Sequence, residues 1–153
     1  MPMDVLNDNA ESLSGLEQLR FLMAQGANAP IGNTLRFTLI EIDEGRAVFE
    51  GKPDRSVYNP IGTVHGGYAA TLLDSACGCA THSRLNSGQG YTTLELKIAY
   101  HRPLSDTSGP VRAEAQVVSI GRRVAFAEGK LLDAQGRLCV SATSTLLVFD
   151  LTH

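Results

Sequence analysis

The feature that most constrains the fold is a stretch of small and apolar residues at 66–83. It reads GGYAATLLDSACGCATHS, and Asp74 is its only charged side chain when histidine is neutral. Apolar residues recur at helical spacing, for example at Ala69, Leu72 and Ala76, so the pattern predicts a helix over this stretch. A helix that is small or apolar on every side has to be buried. We therefore expect the rest of the chain to wrap around it.

Strand patterns lie on both sides of this helix. Two precede it, at 35–39 and 46–51, and four follow it, at 91–101, 111–120, 123–132 and 138–149. The strand at 91–101 alternates through Leu94, Leu96, Ile98 and Tyr100. A run of strands after one helix is typical of an antiparallel sheet packed on that helix, which is an α+β fold.

The N-terminal segment is a separate part of the chain. Its first dozen residues are predicted to be a loose tail. Ser14 and Glu17 then form the pattern of a capping box, followed by apolar residues at helical spacing and a stop at Gly26. We therefore divide the chain into an N-terminal tail and short helix at 1–29 and a sheet domain at 30–153.

Composition and charge exclude several classes of protein. A length of 153 residues with 43% apolar content is ordinary for a small globular protein. A net charge of -3 gives no electrostatic reason to bind nucleic acid. No apolar run approaches the roughly 20 residues of a membrane-spanning helix. The polar N-terminus does not resemble a signal peptide, so we expect a cytoplasmic protein.

The cysteines and histidines predict neither a disulfide framework nor a metal site. Cys77 and Cys79 point to different faces of the helix and Cys139 lies in a strand, so all three are expected to be buried apolar residues. The histidines have no metal-ligand spacing; they are His65, His82, His101 and His153. We expect no bound metal and no cofactor.

Asp74 is the first candidate for a functional residue. Aspartate is a poor residue for a helix interior because its short carboxylate competes for backbone groups. Its neighbours along the helical stripe are Gly67, Ala70 and Gly78, so another backbone or a ligand can come close. The helix offers no basic partner, which favours a functional carboxylate. The alternative is a solvated or ion-paired aspartate at the helix edge.

Glycines at the start of the same helix are the second candidate. In His65-Gly66-Gly67, free backbone N–H groups can bind an anion or a developing oxyanion. The alternative is an ordinary glycine turn. Gly67 and Asp74 are seven residues apart, which is roughly 10 Å along a helix. If both act on one carbonyl, we expect the carboxylate to come from a second copy in a two-fold dimer with antiparallel helices.

The segment NPIGTVHGG at 59–67, followed by L-x-D at 72–74, resembles the hotdog-fold acyl-CoA thioesterases. The likeness is to the PaaI-like branch of the phenylacetate pathway, within the 4-hydroxybenzoyl-CoA thioesterase superfamily. It extends over about residues 30–150 and includes YTTLELKIAYHRP at 91–103. The resemblance implies an antiparallel curved sheet wrapped around one long central helix, and hydrolysis of acyl-CoA to a free acid and CoA.

The resemblance also implies roles for the two candidate groups. Asp74 matches the catalytic carboxylate, which acts as general base for water or as nucleophile on the thioester. Gly66 and Gly67 match the backbone donors that polarise the thioester carbonyl. His65 matches the motif histidine near the thioester.

Further roles follow from the resemblance and from the chemistry of CoA. Asn59 matches a polar loop residue that orients the carboxylate or the lytic water. Thr93 matches a serine or threonine that faces the carboxylate across subunits, in dimers that pair into homotetramers. CoA phosphates need cations, and Arg102, Arg122 and Arg123 follow strand ends. The alternative for these arginines is solvated surface charge.

Two other functions stay open at this stage. One is a hotdog acyl-CoA hydratase or dehydratase, and the other is a non-catalytic acyl-CoA binding module. The sequence also leaves the acyl group open, since small aromatic and medium-chain acyl-CoA both fit. The apolar acyl pocket is expected near the stripe of Asp74 and the dimer seam, where Tyr68 and the N-terminal helix could close it.

Overall fold

The computed structural model describes residues 12–151. The predicted N-terminal tail lies outside these residues, apart from Ser12. The helices are α1 (Gly15–Ala24), α2 (Pro30–Leu35) and α3 (Gly66–His82), with a 3₁₀ turn at Arg55–Val57. The strands are β1 (Phe37–Asp43), β2 (Arg46–Gly51), β3 (Gln89–Tyr100), β4 (Val111–Ile120), β5 (Val124–Leu132) and β6 (Leu138–Asp150). The predicted order of elements is therefore present, with α2 added.

The six strands form one antiparallel sheet in the order β1-β2-β4-β5-β6-β3. The helix α3 packs against all six of them, so the sheet wraps around it. This confirms the predicted α+β fold. In the described part of the chain, β1 and β3 are the two edge strands, so β3 pairs there with a neighbour on one side only.

Small residues on the sheet let α3 lie close to it. Leu72 and Leu73 of α3 are fully buried, in one apolar cluster with Ala113 and Ala115 of β4. A methyl group at Gly129 of β5 would lie only 3.2 Å from Leu73 Cδ2. Burial of a leucine side chain is worth roughly 1.5–3 kcal/mol. The helix is therefore stabilised by burial against a sheet surface that is made of small residues.

The predicted capping box is present at the start of α1. The Glu17 N–H donates to Ser14 Oγ, and the Ser14 N–H donates to Glu17 Oε1, both at 3.3 Å. The helix ends at Ala24, shortly before Gly26, whose φ of 63° is the left-handed conformation that favours glycine. Local sequence therefore determines both ends of α1.

The helix α1 rests on the C-terminal end of α3. The Gly15 N–H donates to the Leu85 carbonyl at 3.0 Å. A ring nitrogen of the buried His82, Nε2, lies 2.9 Å from Gln18 Oε1. The contact is so close that a Cβ atom at Gly15 would collide with the backbone carbonyl of His82. This end of α3 is therefore closed by α1.

The structure corrects the start of the first strand. The sequence predicts Leu35 in a strand, whereas Leu35 ends α2 and β1 begins at Phe37. Pro30 occupies the first turn of α2, where its missing N–H costs nothing. Arg36 stops the helix in the left-handed conformation, with a φ of 60°, and its N–H bonds the Gly32 carbonyl. Six residues are too few to show helical periodicity, so this helix was hidden in the pattern.

The variant Gly15→Ala tests how α1 is seated on α3. Its added methyl group meets backbone that cannot move aside, so we expect the free energy of unfolding to fall by roughly 1–3 kcal/mol. Urea denaturation measures the change. Gly121→Ala is the matched control, because a Cβ atom there would have its nearest neighbour at 3.6 Å. Equal losses in the two variants would contradict the contact.

Candidate active site

The structure brings Asp74 and Thr93 together. Asp74 lies at the middle of α3, and its Oδ1 accepts a hydrogen bond of 2.9 Å from Thr93 Oγ1 on β3. Both side chains are half-buried. The bond fixes the orientation of the carboxylate, and it forms within one chain. This corrects the expectation that Thr93 faces the carboxylate across subunits, because β3 packs on the α3 of its own chain.

A β-bulge in β3 explains why Thr93 reaches the helix. Thr93 pairs with Leu146 and Glu95 pairs with Thr145 on β6, so Leu94 is an extra residue. An extra residue shifts the alternation of side chains by one, which turns Thr93 and Leu96 to the same face. Leu94 is 58% exposed. The predicted alternation through Leu94 is therefore wrong at this one position, and the error falls beside the site.

His65 and the glycines lie at the start of α3, as the motif predicts. His65 is the N-cap, and its Nδ1 accepts from the Gly67 N–H at 2.8 Å. The Gly67 N–H is therefore already used within the chain. Among the hydrogen bonds of residues 12–151, none uses the Gly66 N–H. Of the two expected donors, Gly66 is the one that the single chain leaves available to a ligand.

Asn59 organises the loop that leads into α3. Its Oδ1 accepts from the N–H groups of Ile61 and Thr63, both at 3.1 Å, and its Nδ2 donates to Thr63 Oγ1 at 2.9 Å. The His65 N–H then donates to the Val57 carbonyl at 2.8 Å. The hydrogen bonds that Asn59 makes in the described chain thus hold its own loop. An interaction with the carboxylate or water stays a prediction.

Asp74 and the helix start do not meet within one chain. The helix is continuous from Gly66 to His82. Gly66 and Asp74 are therefore separated by eight residues, or roughly 12 Å along the axis. A reacting carbonyl should lie about 3 Å from its donors. The two halves of the site can act together only if another chain supplies one of them.

The three arginines expected at CoA lie at two ends of the sheet. Arg102 follows β3 near the start of β6, whereas Arg122 and Arg123 form the turn between β4 and β5. These places are seven residues apart along β6, from Val140 to Leu147, which is roughly 24 Å. All three side chains are exposed. One chain therefore does not assemble them into a single phosphate site.

The cysteines are buried in the manner of apolar residues, as expected. Cys77 and Cys139 are fully buried and Cys79 is half-buried, and all three are free thiols. Burial, with a smaller contribution from the charge of Asp74, raises the pKa of both Cys77 and Cys79 to about 12. A thiol with so high a pKa is a poor nucleophile.

Two kinds of feature are absent from the described part of the chain. Across residues 12–151, no group of three or more His, Cys, Asp and Glu side chains is placed to hold a metal ion. None of the helices in that range is long and apolar enough to cross a membrane.

Comparison with known proteins assigns the family. Residues 61–140 match the family described as the thioesterase superfamily. A relative, the proofreading thioesterase EntH of Klebsiella pneumoniae, is 31% identical over 124 residues, which cover 78% of this chain and 89% of the relative. The chain belongs to the thioesterase superfamily.

Solved structures share the fold of this thioesterase. The E. coli PaaI protein from the phenylacetic acid degradation operon gives a TM-score of 0.77 at 21% identity, covering 96% of this chain and 99% of that one. The TT0310 protein of Thermus thermophilus gives 0.72 at 29% identity, covering 78% and 97%. The predicted hotdog fold is therefore confirmed, and the match at 61–140 confirms the predicted thioesterase superfamily.

Sequence reasoning missed two tyrosines that contact the site of this thioesterase. Tyr100 Oη donates to the Gly66 carbonyl at 2.6 Å and so ties the start of α3 to the end of β3. Tyr91 lies two residues before Thr93 and packs on Gly78 of α3. A tyrosine in a strand carries no signal of its own. Only the small residues on α3 hinted that a large side chain would lie there.

The N-cap contact of His65 gives a prediction about stability. Loss of a side-chain cap costs about 1 kcal/mol, and asparagine is a good replacement cap. We expect His65→Ala to lower the free energy of unfolding by about 1 kcal/mol and His65→Asn to retain it, both measured by urea denaturation. Equal stability of the alanine variant and the wild type would contradict the capping role.

Proposed function

We propose that this thioesterase hydrolyses acyl-CoA thioesters, with Asp74 as the catalytic carboxylate. The observation that carries the proposal is the hydrogen bond from Thr93 Oγ1 to Asp74 Oδ1. A neutral hydroxyl orients the carboxylate, and none of the ion pairs of residues 12–151 includes Asp74. An oriented, half-buried carboxylate without a cationic partner suits a general base or a nucleophile.

Two routes are compatible with this arrangement. As a general base, Asp74 takes a proton from water while the water oxygen attacks the carbonyl carbon; the C–S bond then breaks and the CoA thiolate takes up the proton. As a nucleophile, Asp74 attacks the carbonyl carbon itself and expels the thiolate, and water then hydrolyses the mixed anhydride. In both routes the oxyanion needs a donor, for which the Gly66 N–H is suited.

A homodimer through β3 would complete the site. Among residues 12–151, the edge strand β3 has no pairing partner on one side. Leu94 and Tyr100 on it are 58% and 55% exposed. A long edge strand with exposed apolar residues is a template for pairing with another chain. Two-fold pairing of β3 with a second copy makes two equivalent sites. Each site then takes Asp74 from one protomer and the start of α3 from its partner.

The same dimer would also bring the separated arginines together. Within one chain, Arg102 lies near the end of β3, whereas Arg122 and Arg123 lie near its beginning. Antiparallel pairing of two β3 strands brings the end of one strand close to the beginning of the other. We infer that Arg102 of one protomer and Arg122 and Arg123 of its partner bind the CoA phosphates around one site.

The first test concerns the carboxylate and its donor. General-base catalysis contributes roughly 10²–10⁴-fold, so we expect Asp74→Asn to lower kcat/KM for phenylacetyl-CoA by that factor. Thr93→Val removes a hydrogen bond to a charged group and should cost about tenfold or more, whereas Thr93→Ser should stay near wild type. A thiol-trapping assay for released CoA measures each rate.

Glu95→Gln on the same strand is the matched control and should keep full activity. Undiminished turnover in Asp74→Asn would reject the mechanism. Hydration of crotonyl-CoA without any hydrolysis would favour the hydratase instead, and binding of acyl-CoA without turnover would favour a binding module. Faster hydrolysis of the same acyl group on a carrier protein than on CoA would contradict the CoA part of the proposal.

The second test asks whether the site is shared between protomers. Proline is tolerated at the first position of a helix, so Gly66→Pro removes the N–H donor and keeps the helix. Asp74→Asn and Gly66→Pro should each be inactive alone. A mixed dimer has one site with both defects and one with neither, so it should regain roughly half of the wild-type rate.

Gly66→Ala is the control for this experiment, because it adds a side chain without removing the N–H. No recovery in purified mixed dimers would place both groups in one chain and contradict the shared site. A wild-type protein that sediments as a fully active monomer would contradict it as well.

A further inference from the structure

Tyr91 lies directly beside the pair of Asp74 and Thr93. On β3, Tyr91 pairs with Val148 and Thr93 pairs with Leu146. Residues two apart on a strand point to the same face. Because Thr93 points to α3 and bonds Asp74, the ring of Tyr91 also lies against α3, one step further along the strand.

The ring of Tyr91 packs against the backbone of α3 at Gly78. This glycine follows Asp74 by one helical turn on the same stripe of α3. A Cβ atom at Gly78 would lie 2.6 Å from Tyr91 Oη and 3.0 Å from its Cε2, so any larger residue would push the ring away from the helix. Burial raises the pKa of Tyr91, and the nearby Cys79 and Asp74 raise it further. The hydroxyl therefore stays neutral next to the carboxylate.

Uncharged side chains lie behind the ring of Tyr91. Its ring packs edge-on to His82, with centroids 5.8 Å apart at 65°. His82 is only 6% exposed, and burial lowers its pKa to about 4, so it is neutral at pH 7. Gln18 of α1 bonds the far side of His82. Both side chains behind the ring are therefore uncharged, and such surroundings suit an acyl group.

Tyr68, the residue expected to close the acyl pocket, lies elsewhere. It is 3% exposed, and its ring packs in the core with Oη directly against Gly51 at the end of β2. Gly51 pairs with β1 and β4, in the half of the sheet that lies away from the edge strand β3. Tyr68 is therefore part of the core on the far side of α3 from Thr93.

We propose that Tyr91 is the residue that ends the acyl-binding space beside Asp74, and that it restricts this thioesterase to short or single-ring acyl groups. The inference rests on the proposed function, since it takes Asp74 as the catalytic carboxylate. Tyr91 determines specificity by its bulk, and the ring is the part that acts.

The test compares kcat/KM for acetyl-, hexanoyl-, dodecanoyl- and phenylacetyl-CoA. In the wild type, dodecanoyl-CoA should be the poorest of the last three. Steric exclusion in a pocket is worth about tenfold or more, so Tyr91→Ala should raise the ratio of dodecanoyl- to phenylacetyl-CoA by at least about that factor. Tyr91→Phe keeps the ring and should keep the wild-type ratio.

Gly78→Ala tests the position of the Tyr91 ring from the helix side. Its methyl group should push the Tyr91 ring into the acyl space and lower the ratio of hexanoyl- to acetyl-CoA. The double variant Gly78→Ala/Tyr91→Ala should regain the activity toward hexanoyl-CoA. Thermal denaturation checks that each variant is folded.

The possible outcomes separate the two proposals. A wild type that hydrolyses none of these esters overturns the proposed function and this inference with it. Active variants whose rates change by one common factor for all four esters overturn the inference alone. An altered ratio in Tyr91→Phe would also overturn it, because the hydroxyl would then be the group that acts.

Discussion

The structure depends on one constraint, which is that α3 cannot be exposed to water although it carries a carboxylate. Leucine and alanine side chains on α3 are removed from water by a sheet whose facing residues are also small. The carboxylate of Asp74 cannot join that apolar packing without a polar partner. It lies instead where the edge strand β3 covers the helix, and Thr93 supplies the hydrogen bond. The site therefore results from the way in which the edge strand β3 covers α3.

The length of the helix then decides how the proposed chemistry is divided. The cap at His65 and the free N–H of Gly66 lie at one end of α3, and Asp74 lies two turns further on. A rigid helix cannot bring these groups together. The edge of β3, which is unpaired among residues 12–151, lies next to Asp74 and ends beside Gly66, where Tyr100 bonds the Gly66 carbonyl. One surface thus connects both halves of the site, and a second copy of the chain can supply what each lacks.

Most of the fold could be predicted because its signals are local. The capping box of α1, the apolar helix α3 and the turn-separated strands follow from spacing and residue type alone. The errors have physical causes. Leu35 ends a helix too short to show a period, and Leu94 sits in a bulge that reverses the alternation expected along β3. The separation of Arg102 from Arg122 was hidden because distance within a sheet depends on strand order.

By itself the sequence determined the buried helix, its lone aspartate and the glycine-rich helix start, since residue type and spacing along one helix are enough to specify these. Only the tertiary structure decided which side chains surround the aspartate. Thr93 and Tyr91 face Asp74 because of one extra residue in a strand, and Tyr91 fits because Gly78 has no side chain. Such contacts join residues that are distant in the chain, and their geometry depends on strand register and packing, which no local pattern encodes.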